Sequence, residues 1–269
     1  MTLSTARGAA LERILPLLDP PPASTGRSPG YLDLLAPEDA PVPSPAQRVM
    51  EWTLLPRIYE RIWRPVGFNL AKGWPIGPDT AAEHALARDW LGLGGPGAAG
   101  LPAATVLDVA CGPGNVTRSL AAGVAEEGLV VGLDLAAGML ARAAEDTTAP
   151  HVGYVRGNAV DLPFRDGSFD AACCFGALYL IDDPWGALDA MVRVLKPGGR
   201  LVVLTSRRPP LPVSGRAAGA LAGRAGLRLF GDREVTGFLE GRGLTEVRRR
   251  LYPGLQFVGA RKPVPAARP

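Results

Sequence analysis

From Thr105 onward the chain keeps one rhythm. Short, continuous apolar runs, "TVLDVAC", "LVVGLDL", "VGYVRGN", "FDAACCFGAL" and "GRLVVLT", alternate with segments of helical spacing. An apolar run without polar alternation has no face to give to water, so it belongs in a strand covered on both sides. Helices inserted between such strands supply the cover, and the result is a doubly wound, mostly parallel α/β sheet. The spacing predicts helices over about 116–125, 136–146, 184–195 and 232–241. The final runs, "TEVRRRLY" and "LQFVGARK", are joined by the turn "YPGL" and predict an antiparallel hairpin. "LKPGG" reads as the turn that sets the fifth strand.

The chain upstream of Thr105 has a different texture. With 269 residues in all, there is material for one large domain, or one domain with an appendage. Residues 1–45 read as a short amphipathic helix followed by a linker rich in Pro, Ser, Gly and Ala, expected to be irregular. Charges interrupt the first twenty residues, so no signal peptide is expected there. Residues 46–100 form an expected helical cap. "AQRVMEWTLLPRIYERIWRPVGFNL" has helical spacing broken at Pro56 and Pro65. "GPDTAAEHALARDWLGL" predicts a helix capped by Asp79 or Thr80 and stopped by Gly92 and Gly94. The main domain is expected over 101–262, with a tail over 263–269.

Composition removes several functional classes. A net charge of +3 is too mild to argue for nucleic acid. The three cysteines, Cys111, Cys173 and Cys174, contain no CxxC pair, so neither a structural zinc nor any other metal site is expected, and reduced thiols suit the cytoplasm. No apolar run is long enough to span a bilayer, though peripheral contact is compatible with the chain. Nothing in the sequence sets the oligomeric state.

The loop after the first strand carries the chemistry. A dinucleotide fingerprint needs a third glycine, and Thr117 stands in its place after Gly112 and Gly114. Pro113 removes an N–H that a pyrophosphate would use. Asp108 puts a negative charge beside the loop, which opposes a phosphate and suits a cationic ligand. S-adenosylmethionine carries an ammonium and a sulfonium and no phosphate, and the glycines let backbone approach it closely. Asp134 closes the second strand, where an acid accepts from both ribose hydroxyls. After the third strand, the Asn158 carbonyl can accept from an adenine amino group and the Ala159 N–H can donate to a ring nitrogen. Leu162 and Phe164 are expected nearby.

Taken in order, "LDVACGPGN", "GLDLAAGML", "GNAVDLPF", "GSFDAACC" and "LKPGGRL" resemble the class I S-adenosylmethionine-dependent methyltransferases, most closely the branch related to ubiquinone and menaquinone biosynthesis. The resemblance covers about residues 102–206. It implies a seven-stranded sheet of order 3-2-1-4-5-7-6 with strand seven antiparallel. It also implies a cofactor contact set of Asp108, Ala110, Gly112, Gly114, Asn115, Asp134, Leu135, Met139, Asn158, Ala159 and Phe175. The family usually has Asp at position 158; Asn keeps the acceptor oxygen and loses the charge.

Methyl transfer is an in-line displacement that positioning alone can promote, so no side-chain nucleophile is required. Tyr179, with Asp182 and Asp183 beside it, follows the fourth strand and is the candidate base for a phenol or enol acceptor. Tyr59 and Trp63 are expected on a lid over a small, lipophilic or aromatic acceptor, with the glycines of 94–100 as its hinge. His84 reads as a surface or satisfied residue, and His151 is given no role. Two rivals remain beside the methyltransferase: an NAD-dependent oxidoreductase, disfavoured by Pro113 and Asp108, and a non-catalytic protein that binds S-adenosylmethionine.

Overall fold

A computed structural model of the protein describes residues 3–21, 26–28, 30–35, 79–94, 103–208, 223 and 227–265. The five apolar runs become the strands β3 (Thr105–Val109), β4 (Leu129–Asp134), β5 (Val152–Arg156), β6 (Phe169–Phe175) and β7 (Leu195–Ser206). The hairpin forms β8 (Thr245–Leu251) and β9 (Leu255–Arg261), and two further strands, β1 (Gly26–Ser28) and β2 (Tyr31–Asp33), lie near the N-terminus. Together these strands make one sheet of order β1-β2-β5-β4-β3-β6-β7-β9-β8. From β5 to β8 this is the expected order 3-2-1-4-5-7-6. The penultimate strand, β9, runs antiparallel to both β7 and β8.

Nine strands among the described residues, rather than seven, is a correction to the sequence reading. β1 and β2 fall inside the segment expected to be irregular. Each has three residues, too few to show a period, and what fixes them is tertiary. β2 pairs in parallel with β5 through Leu32–Val155 and Asp33–Arg156, and Asp33 accepts a salt bridge from Arg156 at 3.2 Å.

Among the described residues, six helices cover the sheet, three on each face. On one side lie α1 (Leu3–Ile14), α5 (Pro184–Val194) and α6 (Glu234–Gly241), packed on Leu107, Val131, Phe169 and Val203. On the other lie α2 (Thr80–Leu91), α3 (Asn115–Ala121) and α4 (Ala137–Asp146), packed on Val106, Val130, Tyr154 and Val202. Cys173 and Cys174, adjacent in β6, bury into opposite faces, as the two-residue period of a strand requires. Ala10 and Ile14, one helical turn apart, are fully buried, so the N-terminal helix contributes to the main core.

α2 has the ends its sequence predicts. The Asp79 carboxylate accepts from the Ala82 N–H at 2.7 Å, and Gly92 ends the helix in the left-handed conformation at φ 73°. Trp90 packs edge-on to Phe257 at 4.8 Å, and Arg88 donates to the Ser119 hydroxyl at 2.7 Å. α2 is thereby a layer of the sheet's own packing. Residues 46–78, the greater part of the expected cap, lie outside the described residues, as do Tyr59 and Trp63. Among the described residues no helix is long and apolar enough to cross a membrane, and no group of three or more His, Cys, Asp and Glu side chains could hold a metal ion.

Candidate functional site

The parallel strands end together, and ligands bind such sheets in the crevice beyond their carboxyl ends. There the chain leaves β3 through a tight loop. Ala110, Gly112 and Gly114 all have positive φ, at 56°, 55° and 77°. This alternation folds the backbone back on itself and delivers Gly114 as the first, non-helical residue before α3. The two glycines serve different needs. A Cβ on Gly114 would meet the Tyr154 hydroxyl at 2.4 Å, so that glycine is required by packing. A Cβ on Gly112 would meet no atom of the described residues within 4 Å, so among them Gly112 borders open space.

Asp134, the last residue of β4, is tied to that loop. Its Oδ2 accepts from the Gly112 N–H at 2.7 Å, and its Oδ1 accepts from the Ala136 N–H at 2.9 Å. A carboxylate has about four acceptor sites, so room is left for a further donor. Burial pushes the carboxyl above its ordinary value of 3.8, against the hydrogen bonds from Ala136, Gly112 and Leu135, which pull it down. A ligand hydroxyl donating here would favour the charged form and relieve that penalty.

Asp108 has a different environment. It is only 1% exposed; Thr117 Oγ1 donates to its Oδ2 at 2.6 Å and the Cys173 thiol lies 3.4 Å from its Oδ1. Thr117 is in the first turns of α3, so this carboxylate fastens the helix to the strand that precedes the loop. All three cysteines are free and buried, and burial drives the Cys174 thiol up to about 12.

The other predicted residues divide by direction. Asn158 is half-buried beyond β5, and its Oδ1 accepts from the Val160 N–H at 3.1 Å, an Asx turn that aims the amide. Leu135, Met139 and Ala159 are half-buried around the same edge. Asn115 is exposed, with its Oδ1 taken by Arg118 at 2.6 Å. The Phe175 ring is buried against Phe257 at 5.6 Å, so this residue offers the crevice its backbone. Leu162 and Phe164 are core residues at 2% and 0% exposure. Tyr179 sits half-buried on a single turn over Leu178–Leu180, and its carbonyl accepts from the Arg228 N–H at 3.0 Å. Asp183 caps α5 through the Gly186 N–H at 2.9 Å.

Sequence reasoning missed one contributor. Arg156 donates to the Leu135 carbonyl at 3.0 Å while pairing with Asp33, and so braces the chain beyond Asp134. Its signal was a lone cation at the end of an apolar strand. His84 brings α2 to the end of β6, with its ring 6.5 Å from that of Phe175.

S-adenosylmethionine suits this set of groups. It needs an acceptor pair for its ribose, which Asp134 supplies, and close backbone approach, which open Gly112 permits. Asn158 stands at the same edge, beyond β5, with its amide oriented by the Val160 N–H.

Comparison with known proteins agrees with the geometry. Residues 107–203 match the family model described as "Methyltransferase domain". Fold and matched segment together resemble a class I S-adenosylmethionine-dependent methyltransferase domain. Over 112 residues the chain is 39% identical to the demethylmenaquinone methyltransferase of Shouchella clausii, covering 40% of this chain and 48% of that protein. The chain thus spans about half the length of the curated relatives it matches. Among solved structures it is similar to phosphoethanolamine N-methyltransferase 2 of Haemonchus contortus (TM-score 0.61, 17% identity, 83% of this chain and 61% of that one). It is also similar to the cyclase SpnF (TM-score 0.58, 19% identity, 83% and 97%). At such identities the likeness speaks for the fold alone.

Proposed function

We propose that the protein transfers a methyl group from S-adenosylmethionine to a small, lipophilic or aromatic acceptor at oxygen or carbon. The observation that carries this reading is the pairing of Asp134 with Gly112. A carboxylate with spare lone pairs is held beside a left-handed glycine that borders open space. In this reading Asp134 holds the ribose, Asn158 and Ala159 the adenine, and the loop from Ala110 to Gly114 the methionine part. Asp108 keeps the loop in register through Thr117. Bound there, the cofactor supplies a methyl group on a cationic sulfur, which leaves as a neutral thioether.

The chain's own task is then to align the acceptor and exclude water. Tyr179, after β6, is proposed to take or orient the acceptor proton. Tyr59 and Trp63 are proposed to wall the acceptor from above. The relatives' name makes a quinone-type ring the first acceptor to try, and the buried free thiols suit a reducing, cytoplasmic setting.

The test is formation of S-adenosylhomocysteine and a labelled product from reduced demethylmenaquinone and from simple phenols. Cofactor binding without turnover on any acceptor would favour the non-catalytic alternative. Tight NAD binding in place of S-adenosylmethionine would overturn the proposal altogether.

A further inference from the structure

The arginines of this chain are gathered on one side. Residues 200–250 hold 11 arginines, no lysine and 4 acidic residues, a net charge of +7 in a chain whose total is +3. Everything outside that segment is net negative. Sheet register brings several of these arginines to one place. Arg250 of β8 pairs with Phe257 of β9, Phe257 with Leu204 of β7, and Leu204 with Phe175, the last residue of β6. Arg250 therefore stands level with the carboxyl end of β6, three strand spacings away, or about 14 Å. β8 is the outermost strand; Arg248 and Arg250 face one side of the sheet and Arg249 the other, so the three line this outer edge, with Arg250 nearest the carboxyl ends of the strands. All three are exposed, as are Arg228 and Arg233 on the neighbouring segments.

The acids near these charges are shared with other arginines, Arg249 acting on Asp232 and Arg248 on Glu246. Asp232 is paired with Arg207, Glu234 with Arg208, and Glu246 with Arg261. Two members of the group are held by aromatic rings: Arg248 lies 4.3 Å from the Trp90 ring centre, and Arg228 lies 5.0 Å from that of Trp185. Arg249 donates to the Asp232 carbonyl. The guanidinium groups are therefore partly pre-set, which lowers the ordering cost of meeting a charged partner. Charge on an edge strand also blocks unwanted strand addition. That purpose needs only a residue within β8 and gives no reason for Arg228 and Arg233 beside it.

We infer that this edge docks the protein on an anionic lipid surface, with the mouth of the crevice turned toward the bilayer. Basic clusters bind such surfaces through summed charge and not through fitted contacts. The choice of lipid over another polyanion rests on the lipophilic acceptor proposed above, since such an acceptor is dissolved in the bilayer and must reach the edge that the arginines border.

The experiment uses the full chain and sedimentation with vesicles. One set is phosphatidylcholine alone and the other contains about a third phosphatidylglycerol, at roughly 0.1 M salt. Binding to the anionic set only, lost as salt rises, is expected. The triple variant Arg233→Gln, Arg249→Gln, Arg250→Gln should bind roughly a hundredfold more weakly, at about fivefold per arginine. The corresponding triple lysine variant should keep most of the binding. A control of equal charge, Arg142→Gln, Arg165→Gln, Lys196→Gln, should lose little, and melting curves establish that each variant is folded. Equal binding to neutral vesicles, or equal weakening in the control, overturns the inference. So does displacement from vesicles by double-stranded DNA at lower charge concentration than by free anionic vesicles. Calorimetry with S-adenosylhomocysteine separates the two proposals: a protein that binds it and ignores vesicles loses the docking face alone. One that binds anionic vesicles but no cofactor loses the methyltransferase reading alone.

Discussion

Replacing Asp134 by Asn changes one atom type and no volume, and the hydrogen bonds at that carboxylate set the consequences. Asp134 receives the Gly112 N–H on Oδ2 at 2.7 Å and the Ala136 N–H on Oδ1 at 2.9 Å, and Leu135 also contributes. An amide has one oxygen and one NH2. Whichever way it turns, one backbone N–H faces a donor. An orphaned donor costs about 1–3 kcal/mol, and at this half-exposed edge water holds the figure near the lower end. Loss of the buried charge offsets part of it. Melting should therefore fall by only about 2–4 °C. Binding suffers more. Two charge-assisted bonds to the ribose, each worth about 1.5–3 kcal/mol, are replaced by one neutral bond of about 1 kcal/mol. A net loss of about 2–5 kcal/mol weakens S-adenosylhomocysteine binding by roughly 30- to 4,000-fold. The pH profile gives an independent check. Folding raises this carboxyl above 3.8, so its charged form is penalised in the ligand-free protein. Stability from this group is full below the unfolded value and is lost as pH rises through the folded one. Cofactor affinity climbs over the same window, because only the ionised group offers two full acceptors. The Asn variant should show neither trend. Calorimetric titration across the acid range, with melting curves alongside, reads both. A folded variant with native affinity and a native pH profile would refute the ribose assignment.

The same loop and its neighbour carry further expected outcomes. Gly112→Ala should cut cofactor affinity at least tenfold by filling open space, while strain at φ 55° costs the fold about 1–2 kcal/mol. Gly114→Ala should harm folding more, because its Cβ meets Tyr154; thermal melts in which Gly112→Ala is the less stable of the two would reverse the roles given to them. Ala110→Gly should stabilise by up to about 1 kcal/mol, since relief of a left-handed alanine outweighs the added chain entropy of glycine. A lower melting temperature would show that Ala110 is not strained. Asn158→Leu removes both the turn to Val160 and the adenine acceptor, whereas Asn158→Asp keeps both. Normal cofactor binding by the Leu variant would take Asn158 out of the site.

The inner sheet was legible because its information is local. An apolar run between helical segments is a strand whatever surrounds it, and a strand end is where a ligand-facing residue falls. Gly112, Asp134 and Asn158 were placed at the strand ends in that way. Helix ends were equally readable, Asp79 and Gly92 among them, since capping depends on a few adjacent residues. The β1–β2 pair was not readable, because its stability comes from Asp33 meeting Arg156, 123 residues away. Side-chain direction was the other gap. Phe175 and Asn115 fall where the motif requires them, yet burial turns one into the core and Arg118 holds the other on the helix surface. Those outcomes depend on which face of the sheet is covered, and by what. The expected lid residues Tyr59 and Trp63 lie outside the described residues.

Two acids in the same crevice illustrate how environment divides labour that sequence leaves undivided. Asp108 and Asp134 each lie toward the end of an apolar strand run, and both were assigned to the cofactor. Asp108 is closed off, with Thr117 donating to it and Cys173 beside it, and any ligand would reach it only by displacing those groups. When ionised, it acts across the loop, since a buried charge is weakly screened. It therefore favours a cationic ligand over a phosphate while touching neither. Asp134 is open, carries spare lone pairs, and is penalised until a donor arrives. Under the proposed function the first acid is expected to act on the ligand's charge at a distance, and the second to hold it by contact. A neutral Asp108 variant should consequently admit phosphate-bearing nucleosides more readily, whereas a neutral Asp134 variant should weaken every nucleoside alike. A parallel titration of S-adenosylhomocysteine and AMP against Asp108→Asn and Asp134→Asn distinguishes the two, and identical selectivity in both variants would collapse the distinction.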